Sequence, residues 1–231
     1  PIDVQRAELV EYMLPDVPGK AYGLNRIISD HINLLIEDLK RAKRPVLLIG
    51  GGVRGKQAQD ALDILAEALR IPIFPTWNAL DMVPSDHPWY GGRVGTYGGP
   101  GRNFAVQNAD LLIAVGCRIS GRITGGKPET FARGAKKYVV DVDPGLLDPK
   151  NQEVKTDVSI LCDAETFLRE LERRWRNAYT SYYDQGGDWE RHTDNRAAWW
   201  KRTVDWRDRY DLVRPEMWQQ IEVHPYAFVR R

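Results

Sequence analysis

The sequence predicts an α/β fold on an open parallel sheet, and three observations carry that prediction. Short, continuously apolar runs recur along the chain, as strands buried on both faces require; "PVLLIGGG", "ADLLIAVGCR" and "KKYVVDVDP" are the clearest. Segments with apolar residues at helical spacing alternate with them, which argues for strand–helix–strand units. Glycines, arginines and aspartates then gather just after the apolar runs, where such sheets place their ligand-binding turns.

In chain order, residues 1–22 carry three prolines and no sustained period, and read as an extended linker from a preceding domain. From Leu24 the pattern becomes helical, with Ile28, Ile32, Leu35 and Leu39 on one face and "KRAKRP" supplying terminal cations and a proline stop. "PVLLIGGG" is the first strand and "QAQDALDILAEALR" the next helix, with Ala61, Leu62, Leu65, Ala68 and Leu69 facing inward. "IPIFPT" is a second strand, "ADLLIAVGCR" a third and "KKYVVDVDP" a fourth. "DVSILCD" is a shorter fifth strand before the helix "AETFLRELERRW". The central domain is placed at residues 23–176, and residues 177–231 form an arm. Six of the eight tryptophans lie between Trp175 and Trp218. "NRAAWWKRTVDWRDRY" suits a helix, but its arginines and aspartates alternate instead of forming a basic stripe. It reads as an arm pinned by large aromatics, partly mobile where its neighbours are missing.

Composition excludes several function classes. The 33 Lys and Arg balance 32 Asp and Glu, so the field that nucleic acids or anionic membranes select is missing. No apolar run approaches the roughly 20 residues of a membrane helix, and no signal peptide opens the chain, so a cytoplasmic protein is expected. The 231 residues suit one large domain with an appended arm. The chain opens at Pro1, as an excised piece of a longer protein would. Cys117 and Cys162 close apolar runs and read as small buried thiols.

"GGGVRG" sets Gly50, Gly52 and Gly55 at G-x-G-x-x-G spacing between a strand and a helix. That context can aim backbone N–H groups at a phosphate, and it also suits a tight turn that needs glycine for steric reasons alone. A dinucleotide site would want an acid at the end of the second strand, yet the first carboxylate after "FPTWNA" is Asp81. "GTYGGPG" offers close backbone approach to a flat ligand, or a plain flexible loop. Arg118 and Arg122 suit a diphosphate, because guanidinium is always charged and forks onto oxygens, or a surface ion pair. Asp141 and Asp143 flank Val142 at a strand end, where a carboxylate can accept ribose or adenine hydrogen bonds or can cap a turn. Asp163 is most simply an N-cap. No G-x-S-x-G, H-E-x-x-H or Cys/His metal spacing occurs, so neither a catalytic nor a metal-ligating residue is expected.

Together, "RPVLLIGGG", the stretch from "IPIFPTWNALDMVP" to "GCRISGRITG", and "FARGAKKYVVDVDP" resemble the central domain of the acetohydroxyacid (acetolactate) synthase-like family of thiamine-diphosphate enzymes. The resemblance covers about Ala42 to Leu171. It implies a six-stranded parallel sheet of Rossmann-like (DHS-like) nucleotide-binding type, which carries FAD in the synthases and ADP or nothing in some relatives. By position, flavin contacts would fall on Gly50, Gly51 and Gly52, Thr76 and Trp77, and Gly95, Thr96, Tyr97 and Gly98. They would continue to Arg118 and Arg122, Asp141, Val142 and Asp143, and Asp163. Where the synthases have Phe-Asp-Asp between the two arginines, this chain has Ile119, Ser120 and Gly121.

The resemblance also implies that thiamine diphosphate and Mg²⁺ are held in the parent by the two flanking domains. Their glutamate and Gly-Asp-Gly…Asn motifs are not in this chain, which has no Asp-Gly dipeptide. The expected function is therefore that of a central domain in a 2-keto-acid decarboxylase and carboligase using a pyruvate-type donor, inactive alone, in a parent expected to be a homo-oligomer (dimer or tetramer). Two rivals stand beside it: an NAD-dependent Rossmann enzyme using the glycine turn, and a structural spacer with an empty nucleotide pocket.

Overall fold

Asn25 opens the first helix, α1 (Arg26–Arg41), by accepting the Ile28 N–H at 2.9 Å, and Lys40 and Arg41 close it against the helix dipole. The computed structural model describes residues 25–96, 98–184, 190–219 and 222–230. The predicted linker, residues 1–22, lies outside them. After α1 come β1 (Pro45–Ile49), a single 3₁₀ turn (Gly51–Val53), α2 (Lys56–Leu69), β2 (Ile73–Pro75), α3 (Pro100–Gln107) and β3 (Leu111–Val115). They are followed by a four-residue turn of helix, α4 (Gly121–Thr124), then β4 (Lys136–Asp141), α5 (Pro144–Leu147), β5 (Val158–Leu161) and α6 (Ala164–Asp184). The described chain ends with α7 (Glu190–Arg209) and α8 (Pro225–Arg230).

All strands are parallel, in the order β2-β1-β3-β4-β5. The sheet thus has five strands and not the six that the family resemblance implies. They are the five apolar runs read from the residues. Beside β2, the described residues make only a one-residue parallel bridge, Tyr90 to Ile73, in which Ile73 N–H donates to Trp89 O at 2.8 Å and Gly91 N–H to Ile73 O at 2.8 Å. Pro88 before it and Gly92, at φ +109°, after it prevent extension in either direction.

Both faces of the sheet are covered. On one, Ile32, Leu35, Leu62, Leu65, Phe167 and Leu171 from α1, α2 and α6 pack on Leu47, Ile49, Ile113, Val115 and Val140. On the other, Val46, Leu48, Phe74, Leu112 and Ala114 meet Ala105 and Val106 of α3, Phe131 and Trp199 of α7. This second face starts with a helix of only eight residues, too short to cover it, and α7 supplies the remainder. Trp199 is buried and donates its indole N–H to Pro45 O at 3.0 Å; Trp206 meets it edge to face at 6.0 Å. Gly101 lets α3 approach the α7 backbone so closely that a Cβ there would overlap the Trp206 carbonyl.

Of the Trp-rich segment, α7 packs on the sheet through Trp199 and Trp206. The expected division after residue 176 falls inside α6. Sequence reading treated the tryptophans as belonging to missing neighbours because nothing in a local pattern tells which surface an amphipathic segment will cover.

Candidate functional site

The strand order reverses between β1 and β3, and the crevice above their carboxyl ends is where such sheets bind ligands. There the glycine turn meets the start of the β3 loop. Gly50 N–H donates to Val115 O at 3.0 Å and Gly52 N–H to Gly116 O at 3.0 Å. A Cβ on Gly50 would overlap the Gly116 carbonyl, and one on Gly52 would lie 2.7 Å from Gly116 Cα. Gly116 itself has φ +55°. These glycines serve a backbone-on-backbone crossing, and two of the N–H groups that could have cradled a phosphate are spent inside the fold.

Thr76 is buried beneath this crossing, its N–H on Ile49 O at 2.9 Å, next to the buried Cys117 thiol. Burial, with the Asp141 carboxylate adding to it, pushes that thiol up to about 12, so it stays protonated and inert at neutral pH. Burial does the same at Cys162, also pushed up to about 12. Trp77, next in chain to Thr76, is 58% exposed. Asp81, the first carboxylate after β2, is gripped by both arms of Arg54 at 2.7 Å, and this hydrogen bonding holds its carboxyl below the usual range.

The predicted glycine loop docks onto the second arginine's segment. Thr96 donates its N–H at 2.8 Å and its hydroxyl at 3.1 Å to Arg122 O, and Gly95, at φ +111°, packs against the same carbonyl. Asn103 of α3 holds Gly95 from the other side through both amide groups, each at 3.0 Å. Sequence reading missed Asn103; a polar side chain in the first turn after Gly99-Pro100 was its only signal. Gly98 closes the loop, its N–H on Gly95 O at 2.9 Å, and Tyr97 lies outside the described residues.

Arg118 and Arg122 are exposed, and neither guanidinium has a hydrogen bond or ion pair among the described residues. Arg118 shares a cavity of about 40 Å³ with Asp141, while Gly95 and Thr96 line one of about 120 Å³ with Ile123 and Thr124. Both are smaller than the several hundred Å³ of an enclosed ligand pocket, so this edge is an open ledge. Asp141 takes Asp143 N–H at 3.0 Å, and Asp143 caps α5 by taking Gly145 N–H at 2.8 Å. Asp163 caps α6 through Thr166 N–H at 3.0 Å. Each capping bond uses one carboxylate oxygen; Val142 between the first two is exposed. The structure thus brings the glycine turn, Thr76, Gly95, Thr96, both arginines and Asp141 to one edge, with Asp163 at the start of α6, just after the outermost strand.

The ledge presents guanidinium donors at Arg118 and Arg122 and a carboxylate acceptor at Asp141. It does not fit thiamine diphosphate with Mg²⁺. No group of three metal-ligating side chains occurs among the described residues, nor is there a helix long and apolar enough to cross a membrane.

A doubly covered parallel sheet with an open crevice at its reversal point defines a Rossmann-like type of α/β domain. The sequence narrows that class further: residues 32–171 match the family described as thiamine pyrophosphate enzyme, central domain, and the chain belongs to it. Over 179 residues it is 38% identical to the "Probable acetolactate synthase large subunit" of Methanocaldococcus jannaschii, covering 74% of this chain and 29% of the relative. It is 37% identical over 154 residues to the acetolactate synthase isozyme 2 large subunit of Escherichia coli, covering 67% and 26%. The acetolactate synthase large subunit of Parasynechococcus marenigrum is 31% identical over 200 residues, covering 86% and 30%. The chain spans under a third of the length of these curated relatives.

Proposed function

We propose that this chain is the central domain of a thiamine-diphosphate-dependent 2-keto-acid carboligase of the acetolactate synthase type, and that it holds a nucleotide, FAD or ADP, on the ledge above β1 and β3. The observation that carries the reading is the family match over residues 32–171, the segment that forms this sheet, together with the similarity to acetolactate synthase large subunits. Decarboxylation of a pyruvate-type keto acid and transfer of its acyl unit belong to thiamine diphosphate, an electron sink held with Mg²⁺ by flanking domains. This chain's own residues orient and bind. Arg118 and Arg122 would grip the diphosphate, Gly51, Trp77 and the Gly95–Gly98 loop would border the flat parts of the ligand, and Asp141 to Asp143 with Asp163 would face the adenosine end. The parent is proposed to be a cytoplasmic homo-oligomer.

The NAD-dependent alternative finds less support here: Gly50 and Gly52 have spent their N–H groups, and Arg54 occupies the first acid after β2. The empty spacer is kept as an outcome of the test. Thermal shifts are measured with FAD, ADP and NAD on the wild type, Arg118→Ala and Asp141→Ala. At about 100 times the dissociation constant a ligand adds roughly 2.7 kcal/mol of stability, enough to read as a shift. FAD or ADP should raise the melting temperature, and Arg118→Ala should lose more of that shift than Asp141→Ala because charge-assisted bonds are the stronger ones. A shift with NAD alone would favour the dehydrogenase, and no shift with any of the three would favour the spacer.

A further inference from the structure

A cavity of about 730 Å³ lies away from the ledge, at the opposite edge of the sheet. It is a half-open cleft bordered by the C-terminal end of α2, by α6 and α7, and by Trp89 beside the start of β2. Its size falls within the range of small-molecule sites. Its walls are aromatic: Trp89, Trp175, Tyr179 and Trp200 line it, with Trp89 and Trp200 tilted at 54° and 5.5 Å apart.

The polar groups on these walls are mostly donors. Arg196, 8% exposed, lies over the Trp175 ring at 4.9 Å, and its hydrogen bonds to Leu69 O (2.8 Å) and Leu39 O (2.9 Å) use two of its five N–H groups. Burial lowers its pKa to about 10, which leaves it charged at neutral pH. Arg70 projects from the end of α2 with no ion pair among the described residues. The Trp89 indole N–H is shielded from solvent and has no acceptor among the described residues. Against these donors, Glu67 is the single carboxylate on the lining among the described residues, beside Arg70, Arg196 and Arg176, the last of which is paired with Glu172. A cation would be repelled, and a purely apolar guest would leave the donors unanswered.

We propose that this cavity is a binding site for a planar aromatic carboxylate, whose ring stacks among the tryptophans while its oxygens accept from the arginine and indole N–H groups. The site is independent of the ledge. Its lining comes from the C-terminal end of α2, from α6 and α7 and from Trp89, and none of these lining residues is placed on the nucleotide.

The probes are 1-naphthoate and 1-naphthylmethylammonium, which share a ring and differ in charge, titrated into the full chain by calorimetry. Saturable binding of one naphthoate per chain is expected, with the ammonium at least about tenfold weaker, a difference of roughly 1.4 kcal/mol. Ala197→Trp, which fills the cavity from an exposed position on α7, should abolish naphthoate binding. Arg70→Gln, at an exposed helix end, should reduce the preference for the anion severalfold, and it keeps the test decisive if the bulkier variant misfolds. Equal binding of the two probes, no saturable heat with naphthoate, or naphthoate affinity unchanged in a folded Ala197→Trp or Arg70→Gln variant would overturn the proposal.

Discussion

The two edges of the sheet solve opposite problems. At the carboxyl edge the backbone is satisfied internally, by Gly50 and Gly52 on the β3 carbonyls, while two arginines stand in solvent without partners among the described residues. At the amino edge the backbone needs help: Pro45, Leu39, Leu69 and Ala68 present carbonyls there, and side chains from α6 and α7 answer them. A charge left free at one edge is available to a ligand. At the other, a charge enclosed by helix ends helps close the fold, since guanidinium suits the negative end of the helix dipole.

The contrast can be broken by experiment. Trp199→Ala removes a buried indole and its bond to Pro45 O, and should lower stability by about 3–5 kcal/mol in urea unfolding. A loss under about 1 kcal/mol would mean that α7 is an appendage, as an arm would be. Gly50→Ala should cost about 2–3 kcal/mol, because its Cβ would lie 2.5 Å from Cys117 Cα and against the Gly116 carbonyl. Gly51→Ala, whose nearest contact is the Asn78 side chain at 3.2 Å, should cost about 0.5 kcal/mol or less. Equal effects at the two positions would remove the backbone crossing from the explanation.

A third pair of measurements probes α6, which ties the sheet to α1. Hydrogen bonds from Arg173, with Arg174 adding its own, hold the Glu170 carboxyl below its ordinary value, and Arg174 reaches on to Ser29 O at 3.0 Å and Asn33 at 2.7 Å. A carboxylate depressed in the folded state stabilises above its unfolded pKa of about 4.3, and that contribution is lost as pH falls through the folded value. Glu170→Gln should therefore be less stable than wild type at pH 7, with the gap narrowing below about pH 4. A gap independent of pH would assign the effect to packing. The smallest change is expected at the ledge, where Arg118→Ala should leave stability within about 0.5 kcal/mol while diminishing ligand shifts. The isolated chain should also release no CO₂ from pyruvate with added thiamine diphosphate and Mg²⁺.

The carboxyl edge was the legible one. Its strands are continuous apolar runs, its glycines and arginines sit at fixed distances after them, and a family pattern spans the whole stretch. The caps at Asp143 and Asp163 were readable too, because an aspartate before Pro144 or before a helical pattern has a local reason to be there. What local patterns could not give were partners distant in sequence: Gly116 beneath Gly50, Asn103 gripping Gly95, and Arg196 reaching Leu39. The tryptophans of α7 announced a buried surface without saying whose. The sixth strand came from analogy and reduced to a single bridge, since Gly91 and Gly92 follow Tyr90 directly.

That bridge also bears on how the sheet avoids unwanted company. The outward-facing residues of β2 are Ile73 and Pro75, because Pro72 O and Thr76 N–H point inward to β1. Ile73 already spends both its backbone groups on Trp89 and Gly91, and Pro75 has no N–H to offer. A strand from another molecule arriving at this margin would find no free donor on β2 with which to begin a ladder. Exposed sheet margins invite edge-to-edge aggregation, and three residues ending in proline, shielded by one bridge, suffice to refuse it here.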